Sequence, residues 1–196
     1  TKRVSHRMDH MACFMGGLFA LASQTLDGHQ RYLQLGAELT YTCYEIYQRQ
    51  PTKLSPESVT FRAGADFAST KANGLYYLLR PEAIESMFYL WRFTHDVRFR
   101  EMGWQIFVTM QRHCRIDGAG WSGLKDVTKV PPVKDDLQQT FLFAETFKYL
   151  WLLFSDDDQV PLDRFVFNTE GHPLLRMSGA DVERSAVARR LLANFR

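Results

Sequence analysis

The sequence predicts an all-α domain, an α/α toroid assembled from antiparallel helix pairs, and three observations carry that prediction. Stretches that are apolar nearly all round alternate with amphipathic ones, two of the long helical patterns are separated by only a few residues, and strand-like alternation with turn residues is confined to one hairpin near the C-terminus. A plain helical bundle would share these features and is the simpler alternative.

Composition narrows the class. The chain has 196 residues, 45% of them apolar and 14% aromatic, enough for one domain with a large core. Its 15 Phe, 8 Tyr and 4 Trp fit an aromatic core or a carbohydrate groove lined by aromatics. With 24 basic and 22 acidic residues spread along the chain and a net charge of +2, there is no basic stripe for nucleic acid, and no nucleic-acid partner is expected. No apolar run reaches the roughly 20 residues needed to span a bilayer, so no membrane contact is expected from this segment. Three cysteines, Cys13, Cys43 and Cys114, lack the spacing of a zinc site. A single disulfide with one spare thiol is the natural alternative; a Cys13–Cys43 bridge would close a loop of about 30 residues, worth roughly 3 to 4 kcal/mol. The spacing alone does not choose the pair.

In chain order, residues 8–26 read as a buried helix entered from a loop that carries Asp9 and His10. From His29 to Gln50 the positions Tyr32, Leu35, Leu39 and Ile46, with Thr42 between, step by three and four, an amphipathic helix stopped by Pro51. Residues 51–79 carry Pro51, Pro56, Gly64 and Gly74 without a sustained period, a long loop with short strands over Ser58–Arg62 and Tyr76–Leu79; loops of that length in compact domains line something. Helices follow over Pro81–Thr94 and from Val97 to Arg115, antiparallel because the connection at His95-Asp96 is so short. Asp117 to Leu124 is a glycine-rich loop too irregular to cradle phosphate. Residues 135–154 form an almost wholly apolar helix in which Glu145, among Phe141, Phe143 and Phe147, either reaches solvent or faces a polar cavity. Ser155 to Asp158 lacks the calcium-loop pattern and reads as a solvated helix end. Leu162–Leu175 is the hairpin, turning at Asn168-Thr169-Glu170-Gly171, and its tip offers the oxygen donors a hard cation prefers. A basic, alanine-rich segment closes the chain, so the domain is placed at 1–176 with a tail at 177–196.

The chemistry concentrates at Arg80-Pro81-Glu82-Ala83-Ile84-Glu85-Ser86. Proline opens a helix without loss, which sets Glu82 and Glu85 one turn apart on one face of its first turns. The partial positive charge of the helix start and Arg80 favour ionised carboxylates there, suited to taking a proton from water. A helix start with complementary acidic residues would look the same.

Five blocks then carry a resemblance: Met8-Asp9-His10-Met11-Ala12-Cys13-Phe14, Leu79 to Ser86, Ser122-Gly123-Leu124-Lys125-Asp126-Val127, Phe141-Leu142-Phe143-Ala144-Glu145-Thr146 and Phe167-Asn168-Thr169-Glu170-Gly171-His172-Pro173. In this order and spacing they resemble the class I α-1,2-mannosidases, glycoside hydrolase family 47, with Trp91 to Asp96 and Phe154 to Asp158 closer to the Golgi-type branch. The resemblance implies an (α/α)7 barrel, of which this chain is the second half, with the hairpin plugging one end. It implies a calcium ion held by the hydroxyl and carbonyl of Thr169, Glu82 as general base with Asp9 and His10 near the attacking water, and Arg80, Glu85, Glu145 and Glu170 lining the pocket. It further implies Phe141 as the platform under the terminal mannose, a Cys13–Cys43 disulfide, and an oxidising, secretory-pathway or extracellular compartment. The substrate class it implies is the high-mannose N-glycan, cleaved with inversion, for which acid and base stand roughly 6.5 to 9.5 Å apart.

One departure limits the likeness. The family's general-acid glutamate and a further essential aspartate have no counterpart here. The chain is therefore expected to be the C-terminal part of the catalytic domain, active only with the N-terminal half as a cleaved or separate chain. A glycan-binding homologue without turnover, acting in glycoprotein quality control, is the alternative.

Overall fold

The computed structural model describes residues 6–62 and 71–177, which fall into two compact units divided between Ser155 and Asp156. The first opens with a short strand, β1 (Arg7–Asp9), a 3-10 turn (His10–Phe14) and α1 (Met15–Ala22), followed by α2 (His29–Gln48). Strands β2 (Ser58–Thr60) and β3 (Lys71–Asn73) lie in the long loop, and α3 (Glu82–Thr94) and α4 (Val97–His113) come next. A two-residue hairpin, β4 (Arg115–Ile116) and β5 (Gly120–Trp121), precedes a π-helical turn (Leu142–Phe147) that runs into α5 (Lys148–Phe154).

Helices α1, α3 and α5 stand side by side, with α2 behind α1 and α3 and α4 behind α3 and α5. This is the alternation of buried and amphipathic helices that the sequence predicts. Helix α3 occupies the middle and is covered on nearly every side: Ala83, Ile84, Met87, Phe88 and Leu90 are wholly buried. Where α1 crosses α2 the backbones almost touch, since a Cβ on Gly36 would lie 2.7 Å from the carbonyl oxygen of Gly16. Only glycine permits that approach. The Cys13–Cys43 disulfide joins the 3-10 turn to α2 two turns further along, and Cys114 is buried and unbridged. At the α3–α4 corner His95 adopts a left-handed conformation (φ 53°) and the Asp96 side chain caps α4 by accepting from the Arg98 N–H.

The two ends of the row are different. On the α1 side Met11, Phe14 and Leu18 are exposed, and on the α5 side Phe143, Trp151 and Phe154, each set at helical spacing. Next to the latter, Trp104, Phe107, Trp121 and Phe147 line an aromatic groove of about 340 Å³.

Local chemistry moved several boundaries. Asp9, expected in the loop that leads into the first helix, sits in β1, because residues 7–9 complete an antiparallel sheet in the order β1-β2-β3 and Asp9 pairs with Ser58. Tyr76–Leu79 is not a strand; Tyr77 makes one isolated bridge to Leu124. The glycine-rich loop contains the β4–β5 hairpin, with Gly118 and Gly120 at positive φ. Residues 135–140 do not join the following helix: the Asp135 carboxylate accepts from the Leu137 N–H and Asp136 has φ 64°, a local turn that competes with helix.

The second unit contains the expected hairpin, β6 (Phe165–Phe167) and β7 (Pro173–Leu175), with Phe165 opposite Leu175. Its tip is shaped by Asn168, whose side chain accepts from the N–H groups of Glu170 and His172, and by Gly171 at φ 67°. The closing segment 178–196 lies outside the described residues.

Candidate active site

The start of α3 gathers polar side chains from four separate stretches. The 3-10 turn brings in His10, buried, whose Nδ1 lies 2.8 Å from Glu82 Oε2 and whose Nε2 lies 2.7 Å from the hydroxyl of Tyr47 on α2. The loop before β2 supplies Glu57, which accepts twice from Arg80 Nε at 2.8 Å; Arg80 Nη2 approaches the same carboxylate at 2.6 Å. That fork fixes the guanidinium, and its Nη1 rests 3.9 Å from Glu82 Oε1 while the group lies over the Phe141 ring at 5.9 Å. From α5, Tyr149 donates to Glu85 Oε1 at 3.4 Å.

The backbone beneath these groups is held in an unusual shape. Leu79, wholly buried, adopts φ 63°, a left-handed conformation that costs a residue with a Cβ on the order of 1 kcal/mol or more. Its carbonyl accepts the hydroxyl of buried Thr146 at 2.7 Å. Thr146 follows Glu145 in the π-helical turn, so one hydrogen bond ties the segment carrying Glu145 to the turn that presents Arg80 and Glu82. Irregular helix of this kind recurs at functional sites.

Electrostatics separates the two carboxylates. Burial raises the carboxyl of Glu82, but the hydrogen bond from His10 and its field, the helix-start backbone and Arg80 together outweigh burial and bring it below the ordinary range. For Glu85, burial is reinforced by the negative charges of Glu82 and Glu145; the weak bond from Tyr149 opposes them, and the group is pushed up to about 7. The sequence expectation of two ionised carboxylates therefore holds for Glu82 and is corrected for Glu85, which has the like charges of Glu82 and Glu145 beside it. Glu145 is half-buried and acts on Glu85, so it faces the polar cluster.

Of the site residues named from the sequence, His10, Arg80, Glu82, Glu85, Phe141 and Glu145 come together. Asp9 does not: it is exposed and its carboxylate takes two hydrogen bonds from Arg7. Thr169 and Glu170 are exposed at the hairpin tip of the second unit. Among the described residues neither oxygen of Thr169 is engaged in a hydrogen bond, and no three His, Cys, Asp or Glu side chains cluster as a metal cage. The free hydroxyl and carbonyl fit a hard cation that draws its remaining ligands from water or substrate.

Sequence reasoning missed Tyr47, Glu57, Thr146 and Tyr149. Glu57 alone had a signal, since it lies in the long loop expected to line something. The others look like core residues until the fold brings them round.

Comparison with known proteins places the chain in a family. The sequence model of glycosyl hydrolase family 47 matches residues 1–176. The chain is 49% identical over 174 residues to mannosyl-oligosaccharide alpha-1,2-mannosidase IA of Drosophila melanogaster, covering 88% of this chain and 26% of the relative. It is 51% identical over 170 residues to mannosyl-oligosaccharide 1,2-alpha-mannosidase IB of Homo sapiens, covering 86% and 26%. These names fit the Golgi-type branch favoured by the sequence. Among solved structures, alpha-1,2-mannosidase from Trichoderma reesei superposes with a TM-score of 0.80 at 30% identity, over 88% of this chain and 40% of that one. The chain thus spans about a quarter of the curated relatives it matches, and it belongs to glycosyl hydrolase family 47.

Proposed function

We propose that this chain is the base-bearing, C-terminal part of a calcium-dependent, inverting exo-α-1,2-mannosidase that trims terminal mannose from high-mannose N-glycans. The observation that carries the reading is Glu82, a buried carboxylate kept ionised by His10 and Arg80 at the start of α3. Such a group takes a proton from water as that water attacks the anomeric carbon. Phe141 with Arg80 above it offers a sugar an apolar face beside a fixed cation. Thr169 would hold calcium through its hydroxyl and carbonyl, and the ion would supply electrostatic hold on sugar hydroxyls when bound.

The general acid belongs to a part of the family domain that this chain does not cover, and that part is the proposed partner. The exposed stripes at both ends of the helix row, Met11, Phe14 and Leu18 on one side and Phe143, Trp151 and Phe154 on the other, support the reading. Further helix pairs would cover them and close an (α/α)7 barrel, with the β6–β7 hairpin as its plug. The disulfide supports a secretory-pathway lumen or the extracellular space.

The test is an assay of this chain together with the remainder of its catalytic domain. It should release mannose from a high-mannose N-glycan, stop on calcium chelation, and lose about a thousandfold in kcat with Glu82→Gln. Hydrolysis that survives the substitution refutes Glu82 as base, and glycan binding without turnover in the unsubstituted assembly supports a non-catalytic homologue instead.

A further inference from the structure

Behind the imidazole stands a phenol that the reaction does not itself use. Tyr47 lies in the middle of the core with 0% exposure, its hydroxyl 2.7 Å from His10 Nε2 and its ring edge-on to the imidazole at 5.6 Å. On its other side it meets Tyr77, also fully buried, ring to ring at 6.2 Å. Burial raises the Tyr47 phenol far above its usual range, so it remains an O–H donor at any working pH. The carboxylate at Nδ1 requires an N–H on that nitrogen. A neutral ring then carries its lone pair on Nε2, and a buried lone pair without a donor is costly.

We propose that Tyr47 is a positioning residue for the hydrolysis: by donating its O–H to His10 Nε2 it holds the Nδ1–H on Glu82 Oε2 and leaves Oε1, on the Arg80 side, to meet the water. The inference rests on the reading of Glu82 as base. No proton leaves Tyr47; the proton taken from water stays on Glu82. With the phenol gone, the buried Nε2 has no partner, and the ring loses the contact that holds its Nδ1–H against Glu82.

The groups that face Glu82 are few. They are His10 from the 3-10 turn, Arg80 and, through it, Glu57, then Glu85 one turn along α3, Tyr47 from α2 and Tyr77 from the loop after β3. Glu145 and Tyr149 act on Glu85. Helix α1 has no titratable side chain; on α4 Arg98 pairs with Asp96 and Arg100 donates to the carbonyls of Leu153 and Ser155, and Cys114, next after α4, faces Tyr47 and Tyr77. Of these, His10 and Tyr77 are the groups on which the Tyr47 hydroxyl acts directly.

The experiment is Tyr47→Phe in the complete catalytic domain. We expect kcat to fall about ten- to a hundredfold with KM little changed, as for partners that orient a reacting group. The acidic limb of the pH–rate profile should move to higher pH, because the imidazole donor that keeps Glu82 ionised is no longer held in place. A fall in kcat with the limb unmoved would mean a packing role only and overturn the proposal, as would an unchanged kcat. Should the variant not fold, the unsubstituted domain with 15N-labelled histidine gives the answer: His10 is expected to show a protonated Nδ1 and an unprotonated Nε2, and a proton on Nε2 overturns the proposal. Full activity of Glu82→Gln would instead defeat the base assignment, and the two failures are told apart.

Discussion

Glu82 and Glu85 stand one turn apart on α3, both largely buried, and the fold drives them in opposite directions. Burial raises both carboxyls. Glu82 escapes because a buried imidazole donates to it and a guanidinium fixed by Glu57 lies beside it. Glu85 has one long bond from a phenol and two carboxylates as neighbours. Depth therefore does not decide which carboxylate stays charged; donors do.

The largest way to break this contrast, beyond Glu82→Gln itself, is to remove the donor. His10→Leu leaves Glu82 buried with the helix-start backbone and a 3.9 Å contact to Arg80 as its remaining support, and should destabilise the assembled domain by about 3 kcal/mol at pH 7. The sign follows from linkage. A lowered carboxyl contributes stability that is present above its unfolded value of 4.5 and disappears as the pH falls through the folded value. The cost of His10→Leu should thus shrink in acid, as urea unfolding between pH 3 and pH 8 would show; a cost independent of pH would mean lost packing alone.

The next effect has the opposite sign. Glu85 is raised from 4.5 to about 7, so its contribution is intact below pH 4.5 and is lost as the pH climbs through 7. Glu85→Gln should stabilise the domain by up to about 3 kcal/mol at pH 8 and by almost nothing at pH 4. Equal stabilities of the two forms at pH 8 would show that Glu85 is not held among like charges.

The smallest test concerns Arg80. Lysine keeps the charge but cannot make the fork to Glu57, so Arg80→Lys should cost about 1 kcal/mol by the same unfolding measurement. A loss as large as that of His10→Leu would move the credit for the ionised Glu82 from His10 to Arg80.

Much of α3 is readable before any coordinates. Pro81, the acidic first turn and the step Ile84, Met87, Phe88, Trp91 give its start, its buried face and its length, because those signals act within one or two helical turns. The α3–α4 corner and the β6–β7 hairpin are local in the same sense. The helix expected over 135–154 fails at its beginning for an equally local reason, since Asp135 offers the backbone a competing partner, and apolar periodicity does not register that bond.

What the residues by themselves determine about this protein is the alternation of buried and amphipathic helices, the place of the carboxylate pair and the family, all carried by short-range pattern and motif. Tertiary structure alone decided which carboxylate is charged. His10, Tyr47 and Glu57 reach α3 from 72, 37 and 23 residues away in the contacts they make, His10 with Glu82, Tyr47 with His10 and Glu57 with Arg80. An ionisation state depends on distances of a few ångströms between such groups, and those distances exist only once the chain has closed on itself.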